Sequence, residues 1–83
     1  MNFAVIGAGS WGTTLADLLC RNGHRVKLWA REPEVVAGIT ESRHNPYFVT
    51  HLELHNSLTC SNSLTEVLAG SEIALLSIPS SFI

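Results

Sequence analysis

Residues 3–19 read FAVIGAGSWGTTLADLL. The apolar run Phe3-Ala4-Val5-Ile6 leads straight into Gly7, Gly9 and Gly12, spaced G-x-G-x-x-G, and an apolar-patterned helix follows. The spacing alone carries little weight; a strand before it and a helix after it give it meaning. Each glycine has its own physical task. Gly7 allows the tight turn out of the strand, and at Gly9 the missing side chain lets a pyrophosphate approach the backbone. Gly12 lets the helix sit close against the sheet. The free N–H groups of the first helical turn and the helix dipole favour a bound phosphate.

Outward from this stretch the chain alternates strand and helix, the pattern of a parallel α/β sheet. The first strand is expected over Asn2–Ile6. The first helix is expected from Ser10 or Trp11 to Arg21, with Leu15, Leu18 and Leu19 on one face. Gly23 suits the left-handed position past its end. A second strand is expected over Arg25–Ala30, with Val26 and Leu28 alternating against Lys27 and Trp29. The second helix starts near Glu32, with Pro33 at its first position and Val35, Val36 and Ile39 toward the sheet. Residues 42–56, SRHNPYFVTHLELHN, read as a connecting loop. A short strand over Leu58–Cys60 follows, then a third helix capped by Ser61 or Asn62, carrying Leu64, Val67 and Leu68 and closed by Gly70. The last strand, Glu72–Ile78, reads EIALLSI, a near-continuous apolar run suited to cover on both faces, and Pro79 stops it. Repeats and low-complexity segments are absent from the sequence.

Right-handed crossovers and a doubly wound order place the strands 3-2-1-4. The gap between the carboxyl ends of strands one and four is then the topological switch point, where such sheets bind ligands. Gly7–Gly12 and Pro79–Ser81 both fall there.

The candidate binding residues cluster at that end. Ser10 offers a hydroxyl and an N–H to a pyrophosphate oxygen, or serves as a plain helix N-cap. Trp11 is too large to sit behind the turn without displacing the helix, so it is expected to project over the crevice, against a cofactor or another domain; packing in a core is the alternative. Arg31 ends the second strand, where NAD-specific sheets place an acid for the ribose 2′-OH. A guanidinium there suits a 2′-phosphate or stacks on adenine, which favours NADP or tolerance of both dinucleotides. The alternative is a solvated loop charge.

Other chemistries have weaker support. His51 and His55 are spaced i, i+4, but they have no third ligand at suitable spacing and no nearby cysteine, so no metal is expected. Ala8-Gly9-Ser10-Trp11-Gly12 also reads as A-x-S-x-G, a variant hydrolase elbow. That elbow normally follows several strands, and no acid and histidine complete a triad here.

The chain has 83 residues, net charge −2, 14% charged and 46% hydrophobic residues, a globular composition. Only 5 Lys and Arg argue against a nucleic-acid partner. No apolar stretch is long enough to span a membrane, and the N-terminus lacks the basic lead of a signal peptide. Cys20 and Cys60 are isolated, as expected of reduced thiols in a cytoplasmic protein. A chain of this length buries a modest core, and its ending, IPSSFI, is expected to mark a piece of a larger protein.

Taken together, GAGSWGTTLADLL and NGHRVKLWAREPE resemble the N-terminus of bacterial NAD(P)-dependent glycerol-3-phosphate dehydrogenases. Most telling is S-W-G-T-x-L-A after the second glycine. RHNPYF resembles the family's asparagine-containing segment, with Val49-Thr50 where the family has Leu-Pro. LTCSNSLTEVLAGSEIALLSIPS resembles its next strand, helix and strand, so the similarity spans essentially the whole chain. The resemblance implies a Rossmann-type doubly wound parallel sheet in the α/β class, its N-terminal portion only, with four strands and three helices. Residues 1–83 would be part of an NAD(P)-binding domain. The resemblance also implies reduction of dihydroxyacetone phosphate to sn-glycerol 3-phosphate with NADH or NADPH, feeding glycerophospholipid synthesis. Gly7, Ala8, Gly9, Ser10, Trp11, Gly12 and Arg31 are the implied cofactor contacts. The family's catalytic lysines and helical substrate domain lie beyond Ile83, so no catalytic residue is assigned and the 83 residues alone are expected to be inactive. A homodimer is left open for the full-length protein. The alternative is a stand-alone, non-catalytic dinucleotide-binding or sensing module.

Overall fold

The structure, a computed structural model, describes residues 1–77. Its elements are β1 (Asn2–Ile6), α1 (Ser10–Arg21), β2 (Arg25–Trp29), α2 (Pro33–Ser42), β3 (Thr59–Ser61), α3 (Leu64–Leu68) and β4 (Ile73–Leu76). The four strands form one parallel sheet in the order β3-β2-β1-β4, as the crossover rules require. The expected roles of Ile78, Pro79 and Ser81 lie outside the described residues.

The period-two alternation of the strands divides the interior between two faces. Val5, Val26, Leu28 and Ala30 point to one face and join Ala16, Cys20, Val35, Ile39, Leu54 and Leu58 in the main core. Ala4 and Ile6 point to the other and meet Val67, with Trp29 packed against them. Full burial of Leu28, Ile39, Leu54 and Leu58 contributes about 2 kcal/mol for each side chain.

The helices differ from the sequence expectation in one instructive way. The buried stripe of α1 is Gly12, Thr13, Ala16, Asp17 and Cys20, whereas Leu18 is 53% exposed and Leu15 and Leu19 are half-buried. Small residues at i, i+4 and i+8 bring the helix close to the sheet, which turns Leu18 to the far side. The helix ends in a Schellman motif: the Gly23 N–H donates to Cys20 O at 3.0 Å and the His24 N–H to Leu19 O at 3.1 Å. Gly23 supplies the positive φ of 90° that this ending requires. Helix α2 starts as expected, with Glu32 as N-cap and Pro33 first, and buries Val35 and Ile39.

The C-terminal third needs more correction. Strand β3 begins one residue later than expected, because the Leu58 N–H closes a turn onto His55 O at 3.1 Å. The cap of α3 is Ser63, whose Oγ accepts from the Glu66 N–H, rather than Ser61 or Asn62. Ser61 is still in the sheet, where its carbonyl accepts from the Ala30 N–H. Only Val67 of α3 is buried, and Leu64 and Leu68 are exposed. Among the described residues β4 is not covered on both faces: it pairs with β1 alone, and Leu76 is 77% exposed.

Candidate functional site

The carboxyl end of β1 opens into the glycine turn, and backbone bonds fix its start. The Gly7 N–H donates to Trp29 O at 3.0 Å, tying the turn to β2. Gly7 has φ 118°, a conformation that side chains resist. Gly12 is needed for space: a Cβ there would lie 1.9 Å from Gly7 O and 3.1 Å from Ser77 Cβ. The Ser77 N–H donates to Ile6 O at 2.8 Å, so the end of β4 lies beside the turn. Ser77 thus lies beside the turn, and the expected convergence of Pro79–Ser81 on it lies outside the described residues.

Gly9 differs from both. Its φ of −75° is ordinary, and a Cβ built on it would meet none of the described residues within 4 Å. Gly9 rather than Ser10 is the N-cap of α1, because the Thr13 N–H closes the first helical turn onto Gly9 O at 3.0 Å. Ser10 is therefore already inside the helix. It is exposed, and its carbonyl accepts from Thr14 Oγ1 at 2.8 Å. Among the described residues no side chain caps this helix start, and its first turn holds no acid. The N–H groups and the positive end of the dipole thus remain available to an anion.

Trp11 is 68% exposed, projecting as its size demands. Arg31 is also exposed, 3.9 Å from the Glu32 carboxylate, an ion pair too solvated to hold it in place. The turn and Arg31 lie at the carboxyl ends of adjacent strands, β1 and β2.

Asn45 is a site residue that no spacing in the sequence singles out. Its side chain is fully buried and makes four hydrogen bonds. Its Nδ2 donates to Ala8 O at 2.9 Å and to Thr13 Oγ1 at 3.0 Å. Its Oδ1 accepts from the Tyr47 and Phe48 N–H groups at 2.9 and 3.1 Å. The stretch RHNPYF carries a signal, an asparagine two residues before an aromatic, but nothing in the sequence says what it touches.

Side chains hold the rest of the 43–58 loop. Arg43 adopts φ 61° as the C-cap of α2. Its guanidinium donates to the carbonyls of Ile39, His55 and Leu58. Asp17 of α1 accepts from the His55 N–H at 2.8 Å and from Arg21 Nε at 2.7 Å. Val49, where the family pattern departs, sits at φ 46°, an unusual conformation for a β-branched residue. Tyr47 is half-exposed, and its hydroxyl donates to Glu34 Oε2 at 2.6 Å.

The other candidates separate from this site. His55 Nδ1 pairs with Ser57 Oγ at 2.8 Å and His51 is exposed; among the described residues no group of three His, Cys, Asp or Glu is placed to hold a metal. Among the described residues no histidine or carboxylate hydrogen-bonds Ser10, so no triad is assembled around it. Cys20 and Cys60 are free thiols. Burial pushes both up, Cys60 to about 12, so neither is a thiolate nucleophile at neutral pH. A cavity of about 420 Å³ lies at the opposite, amino-terminal end of the strands, lined by Asn2, Arg25, Lys27 and Thr59 among others. Among the described residues, no helix is long and apolar enough to cross a membrane.

Comparison with known proteins points the same way as the glycine turn. A family model described as the NAD-dependent glycerol-3-phosphate dehydrogenase N-terminus matches residues 2–83. The glycerol-3-phosphate dehydrogenase (NAD(P)+) of Syntrophotalea carbinolica is 50% identical over 80 residues, covering 96% of this chain and 24% of that protein. Its namesake from Maridesulfovibrio salexigens is 43% identical over 83 residues, 100% of this chain and 25% of the relative. The crystal structure of glycerol-3-phosphate dehydrogenase from Coxiella burnetii superposes with a TM-score of 0.87 at 33% identity, covering 95% of this chain and 24% of that one. The chain spans about a quarter of the length of the curated relatives it matches.

Proposed function

Since this chain belongs to the family of NAD-dependent glycerol-3-phosphate dehydrogenase N-termini, we propose that it forms the first part of an NAD(P)-binding domain. The enzyme that carries it interconverts dihydroxyacetone phosphate and sn-glycerol 3-phosphate, and so feeds glycerophospholipid synthesis in the cytoplasm. When bound, the dinucleotide supplies the hydride. What this chain does is grip, orient and select.

The grip rests on one observation. Gly7 and Gly12 are needed by the protein's own packing, but nothing in the described protein occupies the space a Gly9 side chain would fill. A pyrophosphate against the uncapped start of α1 supplies the missing reason for a glycine there. In this reading the backbone of Gly7, Ala8, Gly9 and Gly12 lines the phosphate cradle, and Ser10 adds its N–H and hydroxyl. Trp11 forms an aromatic wall over the crevice. Arg31 meets the adenosine ribose, where its guanidinium suits a 2′-phosphate and gives NADP tolerance or preference. Groups that protonate the substrate oxygen and hold its phosphate come from a helical domain of the longer protein.

Gly9→Val in the intact protein tests this. The added Cβ meets no described residue within 4 Å. The thermal midpoint is therefore expected to stay within about 2 °C of wild type, while NADH affinity falls by about tenfold or more. Unchanged NADH affinity in a folded variant places the ligand elsewhere and overturns the reading.

A further inference from the structure

We propose that Asn45 is a positioning residue for the phosphate grip, setting the direction of the Ala8–Gly9 peptide from inside the protein; the inference rests on the dinucleotide reading above. A buried asparagine costs free energy unless its hydrogen-bonding groups are met. Asn45 meets them all, and its four bonds are divided between two segments. Its acceptor side holds its own loop, through Tyr47 and Phe48. Its donor side holds the glycine turn at both ends, through Ala8 O just before Gly9 and through Thr13 Oγ1 just after Gly12.

The peptide plane supplies the rest. In a trans peptide the carbonyl and the following N–H point in opposite directions. Drawing Ala8 O inward onto the buried Asn45 therefore turns the Gly9 N–H away from the interior. That is the side a phosphate approaches. Thr13 anchors the other end, since its own N–H closes the first helical turn on Gly9 O. The stretch between, Gly9–Gly12, is clamped at both ends, and among the described residues nothing lies within 4 Å of a Cβ built on Gly9. Loop 43–58 is far from the glycine turn in sequence, yet it sets how well that turn can bind.

The test measures dissociation constants of NADH, ADP and adenosine for the full-length protein that carries this segment. Asn45→Ala frees Ala8 O, and is expected to weaken NADH and ADP about thirtyfold while adenosine, which has no phosphate, changes less than about twofold. Thr13→Val removes only one acceptor, keeps the shape, and is expected to weaken NADH about fivefold; Thr13→Ser restores it. If Asn45→Ala does not fold, the Thr13 pair carries the test. A structural role alone predicts no difference between ADP and adenosine, so equal losses for the two overturn the proposal. NADH affinity within about twofold of wild type for folded Asn45→Ala and Thr13→Val also overturns it. Failure of the wild-type protein to bind NADH instead overturns the functional reading beneath it.

Discussion

The glycine turn and the 43–58 loop meet at Asn45 but are held by different means. The turn is a matter of backbone: one positive φ at Gly7, one forbidden Cβ at Gly12, and main-chain bonds from Gly7 to Trp29 and from Thr13 to Gly9. The loop is a matter of side chains: Asn45, Arg43 and Asp17 reach from outside or along it to satisfy its main-chain groups. A backbone device requires a particular residue type at a particular spacing. A side-chain clamp requires a partner that only the folded chain brings near. This difference predicts how each region responds to substitution.

The largest effect is expected in the turn. In Gly12→Ala the new Cβ meets Gly7 O at 1.9 Å, and the obstacle is backbone, which has no rotamer to escape into. Either α1 lifts off the sheet or the turn deforms. A loss of about 3 kcal/mol or more in denaturant unfolding of the intact protein is expected. A loss below about 1 kcal/mol means that α1 relaxes freely, and the contrast between rigid turn and clamped loop fails.

The loop should yield more gradually. Arg43→Ala removes charge-assisted bonds to three carbonyls while leaving a residue with a Cβ at φ 61°. About 2 kcal/mol of stability is expected to be lost. Arg43→Gly loses the same bonds but relieves the left-handed backbone, so it is expected to be milder by about 1 kcal/mol. Equal losses in the two variants mean that the backbone conformation contributes nothing. A loss near zero in both assigns the loop to its apolar anchors, Leu54 and Leu58, which are buried in the main core.

The same difference explains what could be read in advance. The strand order, the bounds of β1 and α1, the Pro33 start of α2 and the Gly23 ending follow from local rules, and all are found. The glycine turn was legible because it is backbone: Gly7 and Gly12 have the geometry their spacing demands. Expectation failed where tertiary packing chooses between equally good local options. The leucines of α1 looked like its core face, but close approach to the sheet selects Gly12, Ala16 and Cys20 instead. Ser10, Ser61 and Asn62 are good caps by residue type, yet Gly9 and Ser63 take the caps because of where the helices begin. Asn45 was beyond reach because its partners, Ala8 and Thr13, are distant in sequence.

The smallest effect belongs to the outer fastening of the loop, the Tyr47 hydroxyl on Glu34 Oε2. The hydrogen bond from Tyr47 holds the Glu34 carboxyl below the usual glutamate range, and the same bond to Glu34 pushes the Tyr47 phenol up. The signs follow from linkage. A depressed carboxyl stabilises the fold above its unfolded pKa, and that contribution fades as pH falls through the lower folded value. A raised phenol stabilises it below the unfolded tyrosine pKa, and that contribution fades as pH rises through the higher folded value. Both groups are solvated, so the energy at stake is small, but the titration is direct. Following the Glu34 carboxyl by NMR should give a midpoint below that of an ordinary glutamate, and Tyr47→Phe should move it back up. Affinity for NADH should barely change, since Asn45 takes the Tyr47 N–H rather than its hydroxyl. A Glu34 midpoint that ignores Tyr47→Phe means the ring does not rest on α2, and Asn45 then holds that end of the loop without help.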